Sequence, residues 1–563
     1  MTFYSGGPGD ATLPGAVAGL TATPCYGRIA LSWEAEEVSD EYAVYRSESD
    51  SLASAVQIAS VAEESYVDVV PAEGVTYRYW VAGVNTLGEG TKGLSASACS
   101  KVASVQGDWF IDATYGSDSK NGRSWATAKK TIQSAAYYAA AGETVVVAPG
   151  RYTPITATNN RSFSIVALEG PDATFIDGGF ASRCAALSQA QTGTNTVLVG
   201  FSLVNGRLTG AFSNGAGSFG GTLRNCVISN CHAGAETSTY AYGGGAYYGN
   251  LFNCRLVGNS VTGQTACGGG ASNTRLYNCL VEGNEARSTS ASGHAQGGGV
   301  ASALSYGCTV VRNSASNSAG GSAEGGGTYG GSHYNSIFWD NASSVGPGIA
   351  VDSTGGLRLY SCCTQERNDR CDNATIADDP LFVDPARGDW RLGVGSPCID
   401  AGYNYYDRTE TDLDGGARVQ NYRIDIGAYE GGHVAVPTFT ATTPVPVPHV
   451  WLDAYPALLA SAGGDYELAG GMETGKRGPG GRAMHVWEDY LAGTDPMRTD
   501  EVFKSWIRME DGRPVVEWTP DLNTNGVVRL YRIWGRTNLT DNVEWMCPTN
   551  SGHRFFKVTV ELP

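Results

Sequence analysis

The chain has 563 residues, 76 of them glycine, with 17 % charged residues and a formal net charge of −18 at pH 7. Glycine stands near twice its usual ~7 % and charge below the usual ~25 %; the length suits about three or four domains of roughly 150 residues, or fewer if one is a solenoid. The acidic balance excludes nucleic acid as a partner, because phosphates need a basic surface. It also disfavours a strongly anionic glycan unless an arginine cluster or a bound cation intervenes.

Residues 1–14 read as a mobile Gly/Pro tail. Between 15 and 104 short alternating strands appear: Ile29-Ala-Leu-Ser-Trp33, Tyr42-Ala-Val-Tyr45 and Tyr77-Arg-Tyr-Trp-Val-Ala-Gly-Val84, separated by turn residues. That pattern predicts a small β-sandwich. The segment resembles a fibronectin type III domain, with Trp33 at its buried strand-B position, Tyr77 at its tyrosine corner and Gly88-Glu-Gly90 in the turn after strand F. The resemblance implies a spacer or binding module, with any catalysis elsewhere.

From Asp108 the text changes. Trp109-Phe-Ile-Asp112 reads as a strand, and 118–125 as a polar loop. Ile132, Ala135, Ala136 and Ala139 fall on one helical face, closed by Gly142. Glu143 to Tyr152 returns as a strand, so the short helix is placed to cover the open end of a solenoid. Residues 153–222 are expected to form two or three less regular coils.

One short phrase then recurs five times: Asn225-Cys-Val-Ile-Ser-Asn230, Asn253-Cys-Arg-Leu-Val-Gly-Asn259, Asn278-Cys-Leu-Val-Glu-Gly-Asn284, Gly307-Cys-Thr-Val-Val-Arg-Asn313 and Asn335-Ser-Ile-Phe-Trp-Asp-Asn341. The closing asparagines are 29, 25, 29 and 28 residues apart, and a glycine triplet precedes each of the last four copies. A period of that size marks stacked coils. Alternation points the cysteines and Val227, Leu256, Val281, Val310 and Phe338 into the interior; the first copy is one residue short, which leaves its register open. The closing asparagines suit left-handed bends and can bond from rung to rung. Strand sets at one per period, with no helices between them, predict a parallel β-helix. Gly244-Gly245-Ala246, Gly269-Gly270-Ala271 and Phe338-Trp-Asp-Asn341 resemble the repeats of the polymorphic-outer-membrane-protein type within the right-handed parallel β-helix proteins. This resemblance covers 107–432 and implies the fold; such helices serve adhesins, lyases and hydrolases alike.

The outward repeat positions hold the candidate ligand-binding residues Arg255, Glu282, Arg312, Trp339 and Asp340. Arg255 and Glu282 are expected to pair across adjacent coils as a solvated ion pair. His232, His294 and His333 fall in Ser/Gly/Ala-rich text between coils, where a histidine beside Tyr240, Tyr242, Tyr247 or Tyr329 would line a sugar groove; His333 is taken as a further candidate. No catalytic residue stands out. Lysine is absent between Lys130 and Lys476, which leaves arginine as the cation for any lyase chemistry in the solenoid. No zinc-type CxxC pair marks a metal site. The repeat cysteines read as an interior stack, while Cys25 with Cys99, and pairs among Cys362, Cys363, Cys371 and Cys398, are disulfide candidates in an oxidising compartment.

After Asn341 the repeat decays toward Asp425-Ile-Gly-Ala-Tyr-Glu430, a closing segment similar to that of other β-helix proteins. Its Asp400, Asp412, Asp414, Asp425 and Glu430, near Arg418 and Arg423, suggest salt-bridged and turn-bonded capping of the last coils, ahead of a metal site or a hydrolytic acid pair. Residues 433–449 form a Thr/Pro linker. The mostly-β module at 450–563 is similar to C-terminal modules of secreted verrucomicrobial-type proteins, which implies sorting or anchoring. Those modules carry a calcium loop where this chain has Gly480-Gly-Arg482, so calcium is not expected there and no cofactor is assigned. The first residues show no secretion signal and the chain no membrane-length apolar run. The domain content favours a leader removed from an extracellular or cell-surface protein. The expected whole is an all-β, adhesin-like protein that binds a polysaccharide or a host-surface glycan without turnover; the competing expectation is a lyase or glycoside hydrolase with its groove along the solenoid.

Overall fold

A computed structural model describes residues 12–431 except 71, 159–160, 188–194, 345–348, 351–356, 366–370, 373 and 421–422, together with shorter stretches between 440 and 561. The expected linker at 433–449 lies largely outside the described residues, as do most of the expected tail and Gly480–Arg482. The fold is all-β: an N-terminal sandwich, a parallel β-solenoid of about seven turns, and a smaller C-terminal region of hairpins and short helices.

In the sandwich, Thr21–Cys25, Arg28–Ser32 and Ser65–Asp68 make one antiparallel sheet, and Glu41–Ser47 and Thr76–Asn85 centre the other. Ile29, Leu31, Trp33, Val44, Tyr77 and Val81 fill the space between them. The buried tyrosine hydroxyl that bonds a carboxylate is that of Tyr79, which donates to Asp68 at 2.8 Å. Tyr77, at the expected corner, lies beneath the Arg46 guanidinium, and its hydroxyl has no partner among the described residues.

The sandwich is docked on the solenoid. Arg28, only 2 % exposed, pairs with buried Asp112 at 3.3 Å and donates to the Trp125 carbonyl. Tyr26 stacks on Trp125 at 5.0 Å, and Phe110 meets the same indole edge-on. Gly27, at φ 64°, makes this approach possible: a Cβ there would sit 2.4 Å from that of Trp125. A module read as a spacer is thus held by a buried ion pair and an aromatic core.

The helix Ile132–Tyr138 turns Ile132, Ala135 and Ala136 into the solenoid core, with Thr131 capping it through Ser134. It ends at Ala139, three residues before Gly142. Each regular coil then contributes strands to four parallel sheets of 16, nine, six and five strands. One coil reads Ala246–Tyr247 and Asn250–Phe252 in the first sheet, Arg255–Val257 in the second, Ser260–Gly263 in the third and Thr265–Cys267 in the fourth. The glycine triplets sit where successive corners touch: a Cβ on Gly269 would lie 2.4 Å from the carbonyl oxygens of Glu285 and Gly298.

The structure corrects the register of the first copy. Val227 pairs with Arg255 and Ile228 with Leu256, so Cys226 aligns with Cys254 and Ile228, not Val227, faces inward. Cys231 therefore occupies the place of the closing asparagine. Asn230, which closes the first copy, bends to the left at φ 54° as expected, but the other bends fall elsewhere, at Asn225, Asn253, Asn278 and Asn335 and at Gly258, Gly283, Arg312 and Asp340, each just before a cysteine, serine or asparagine of the inner columns. The closing asparagines themselves form an internal ladder. Asn259 donates its backbone N–H (2.9 Å) and its amide (3.0 Å) to Asn284 Oδ1, Asn284 does the same to Asn313, and Asn313 to Asn341. Each amide also donates to a carbonyl one coil back, as Asn284 does to Leu256 at 2.9 Å. Beside the ladder, Cys254, Cys279 and Cys308 are fully buried, their thiols pushed well above the usual range by burial.

No disulfide joins Cys25 to Cys99, and Cys362 and Cys398 are also unbridged. Cys25 faces the sandwich–solenoid junction, while the Cys362 thiol donates to the His333 carbonyl at 3.4 Å inside the last coils.

The closing segment does not only cap. Asp412–Gly416 and Ile426–Ala428 belong to the solenoid unit and run back along its outside. The Asn253 amide donates to the Asp412 carbonyl, Ala428 N–H to the Thr309 hydroxyl, and Gly427 N–H to the Asn335 carbonyl. In the second unit, buried Arg418 pairs with Glu430, and Asp425 accepts from the N–H groups of Asp400 and Gly431. Helices Pro456–Ser461, Tyr466–Gly471 and Val486–Ala492 precede the antiparallel pairs Lys504–Glu510 with Arg513–Thr519 and Leu530–Arg536 with Phe555–Glu561. Lys476 and Asp489 form a fully buried ion pair there.

Asn284→Ala removes both an acceptor and a donor from the ladder: the Asn259 backbone N–H loses its acceptor, and the Leu256 carbonyl and Asn313 Oδ1 each lose a donor. It is expected to cost about 3 kcal/mol, read as a lowered unfolding midpoint, whereas Glu282→Ala two positions earlier stays within about 0.5 kcal/mol of the parent.

Candidate functional site

The fourth sheet of the solenoid carries an exposed aromatic surface. Its five strands are Phe212–Asn214, Tyr240–Tyr242, Thr265–Cys267, His294–Gln296 and Ser322–Glu324, paired in parallel and in register. The middle residue of each points inward, and these are Ser213, Ala241, Ala266, Ala295 and Ala323, all essentially fully buried. Small side chains are what a narrow corner of the coil admits. The flanking residues point outward in two columns: Phe212, Tyr240, Thr265, His294 and Ser322 in one, Asn214, Tyr242, Cys267, Gln296 and Glu324 in the other.

The first two rungs are aromatic. Phe212, 72 % exposed, stacks on Tyr240 at 5.7 Å and 17°, and Tyr240 lies 6.2 Å from Tyr242 at 9°. Tyr242 continues to Tyr247 of the first sheet at 5.9 Å, which touches Tyr248 and Phe219. Arg183 lies over Phe219, with its donors taken by the Gly215 and Asn214 carbonyls at 2.7 Å. Six rings therefore make one continuous strip. Phe212 occupies the edge strand of its sheet, so among the described residues no further rung of that sheet covers the ring face turned away from Tyr240. Burial pushes the Tyr242 phenol up to about 12 and Tyr247 higher still, so both stay neutral donors and acceptors at ordinary pH.

Tyr240, Tyr242 and Tyr247, singled out from the sequence, are thus neighbours; Phe212 and Phe219 were not singled out, because the pairing that joins them to the tyrosines spans 28 residues. Tyr329 falls in the Tyr247 column but three coils on, after Ser272 and Ala301. His294 is exposed, two coils from Tyr240, with its Nδ1 2.6 Å from Ser322 Oγ. His232 lies half-buried on the third sheet against Ser260 Oγ at 2.8 Å.

The other candidates are scattered. Arg255 lies opposite Leu280, and Glu282 opposite Val257, so the two stand on a diagonal and form no ion pair. Arg312 and Asp340 do pair, at 3.4 Å across adjacent coils, in solvent. Trp339 is half-buried opposite Val311. His333 lines no groove. It sits inside the strand Thr328–Tyr334, fully buried, between the Ser305 hydroxyl and Thr328 Oγ1 at 2.9 Å, edge-on to Phe338. Among the described residues no group of three His, Cys, Asp or Glu side chains is placed to hold a metal ion, and no helix is long and apolar enough to cross a membrane.

No known protein-family profile and no curated protein matches the chain. Among solved structures its N-terminal region is similar to a fibronectin-type-III-like protein from Clostridium thermocellum, at 23 % identity over 17 % of this chain and 100 % of that one, TM-score 0.15. It is likewise similar to FN3tt, at 22 % identity over 16 % and 97 %, TM-score 0.15. A third likeness is to the FN5 domain of Drosophila Lar, at 17 % identity over 16 % and 99 %, TM-score 0.14.

Burial holds His333 neutral, its pKa lowered to about 4 from 6.5. Above pH 6.5 neither folded nor unfolded chain protonates this ring, and the group is silent. Between pH 6.5 and 4 the unfolded chain takes up a proton that the folded chain refuses, so stability falls with pH. The expected loss is about 3 kcal/mol by pH 4, and His333→Gln flattens that part of a stability–pH curve relative to the parent.

Proposed function

We infer that the protein is a secreted or surface-displayed, adhesin-like solenoid that binds a polysaccharide or a host-surface glycan through the strip Phe212–Tyr240–Tyr242–Tyr247 without turning it over. The exposed stack ending on Phe212 carries the reading. Sugar rings offer apolar C–H faces, and an open aromatic face beside neutral phenols supplies both the packing and the hydroxyl partners they need. Rigid strands hold the rings, so little order is lost on binding.

The neighbouring side chains support binding over catalysis. Down the two columns the aromatic rings give way to Thr265 and Cys267, then His294 and Gln296, and the first carboxylate is Glu324. Four rungs at about 4.8 Å put Glu324 roughly 19 Å from Asn214, too far to share a glycosidic bond with a partner at the strip. The polymorphic-outer-membrane-protein-like repeats fit display of this kind, and the C-terminal module is proposed to sort or anchor the protein by its likeness to secreted verrucomicrobial-type modules.

The test is affinity electrophoresis through gels containing neutral polysaccharides. Retardation by at least one glycan is expected. Phe212→Ala and Tyr240→Ala each weaken it about two- to tenfold, as the loss of one stacked ring implies. Unchanged retardation of the double variant, at a parental unfolding midpoint, contradicts the assignment.

A further inference from the structure

The geometry points to a second site, at the corner between the first and second sheets, where Arg224, Arg255 and Arg275 bind an anionic saccharide bearing carboxylate or sulfate groups. This site is separate from the aromatic strip and does not depend on it. Its scaffold is a column one residue before the left-handed corner. Phe252, Tyr277, Tyr306, Tyr334 and Tyr360 stack there at 4.4, 5.3, 4.8 and 4.9 Å, with their planes within 7°. Arg224 precedes Phe252 in the same column, and its guanidinium lies 4.1 Å from the ring centre, so it continues the stack as a sixth flat group. Stacking holds the guanidinium face and leaves the N–H edge to solvent, the edge that meets a carboxylate or sulfate with two parallel bonds.

The next two coils add charge. In the second, Asn253 turns the chain at φ 51°, Cys254 goes inside and Arg255 emerges on the second sheet opposite Val227. In the third, Arg275 stands on the first sheet, two residues before Tyr277 and opposite Asn250. With coils about 4.8 Å apart and residues about 3.3 Å apart along a strand, both backbones lie within roughly 10 Å of Phe252.

All three arginines are exposed, and none has a carboxylate partner among the described residues. Several other arginines of the solenoid are engaged: Arg151 by Asp177, Arg287 by Glu236, Arg312 by Asp340 and Arg183 by two carbonyls. Two acids on adjacent backbone are placed elsewhere. The Asp412 backbone reaches Asn253, but its Oδ1 accepts from Gly416 N–H at 2.7 Å, and Glu282 stands on the diagonal beyond Val257. In a chain of net charge −18, three uncompensated cations on successive coils mark where an anion is tolerated. A saccharide, and not a nucleic acid, suits them because the surrounding acidity repels a long phosphate backbone that three arginines cannot neutralise.

The test uses the full chain in affinity gels with polygalacturonate, dextran sulfate, neutral dextran and a single-stranded DNA oligonucleotide, with inorganic sulfate as competitor. Retardation by the uronate or the sulfated glycan is expected, weakening as salt rises. Arg224→Ala, Arg255→Ala and Arg275→Ala each lower affinity about tenfold, while Arg224→Lys, which keeps charge and loses the flat fork, falls between parent and alanine. Phe212→Ala leaves this binding unchanged, which separates the two sites. Equal retardation by the DNA, complete displacement by millimolar sulfate, or full retention in a triple variant of parental stability overturns the assignment.

Discussion

Everything on the outside of this solenoid depends on the register between coils, and the register is held from inside. A parallel ladder of backbone bonds can slip by a residue, and a slip turns every side chain to the opposite face. The amides of Asn259, Asn284, Asn313 and Asn341 prevent it, because Asn284, Asn313 and Asn341 each accept two donors from the asparagine of the preceding coil, and every amide donates back to a carbonyl of that coil. A shifted coil would bury an amide with nothing to bond, at a cost that outweighs any single outward contact. The fully buried Cys254, Cys279 and Cys308 add no competing polar demand.

Given that register, outward residues far apart in the chain become columns. The strip from Phe212 to Tyr247 and the stack from Arg224 to Tyr360 are both products of it, since neither has two ring-bearing rungs closer than 25 residues in sequence. The ends and flanks of the solenoid are secured by other means. The sandwich seals its contact with Arg28 and Trp125, and Asp412–Gly416 with Ile426–Ala428 ties coils on the outside. Among the described residues no strand pairs with the first edge of the fourth sheet, and that edge strand carries Phe212.

Much of the solenoid was legible because its period, glycine corners and interior cysteines repeat in the text. The slip at the first copy was not, because Cys231 stands where the other copies have asparagine and Asn230 imitates it. His333 was placed in a loop because Gly330 and Gly331 break the local pattern, yet the strand runs through both. The Arg255–Glu282 pair failed on the same ground: equal numbers of coils do not ensure equal position along the strand. The docking of the sandwich needed Gly27 and Trp125 to meet across nearly a hundred residues, which no local spacing encodes. Residues Asp425, Glu430 and Arg418, by contrast, behave as the crowded Asp-Gly text suggested, as turn acceptors and a buried ion pair, with Asp425 accepting from the Asp400 N–H.

The proposed role, a holder of glycans and not a catalyst, is tested most directly by turnover. The purified chain would be incubated with neutral, sulfated and uronic polysaccharides, followed by reducing-end release and by absorbance from unsaturated uronate. The account predicts that no glycan retained by the protein is shortened over prolonged incubation. Product from any of them, abolished by a single substitution on the solenoid surface, would contradict it and identify an enzyme.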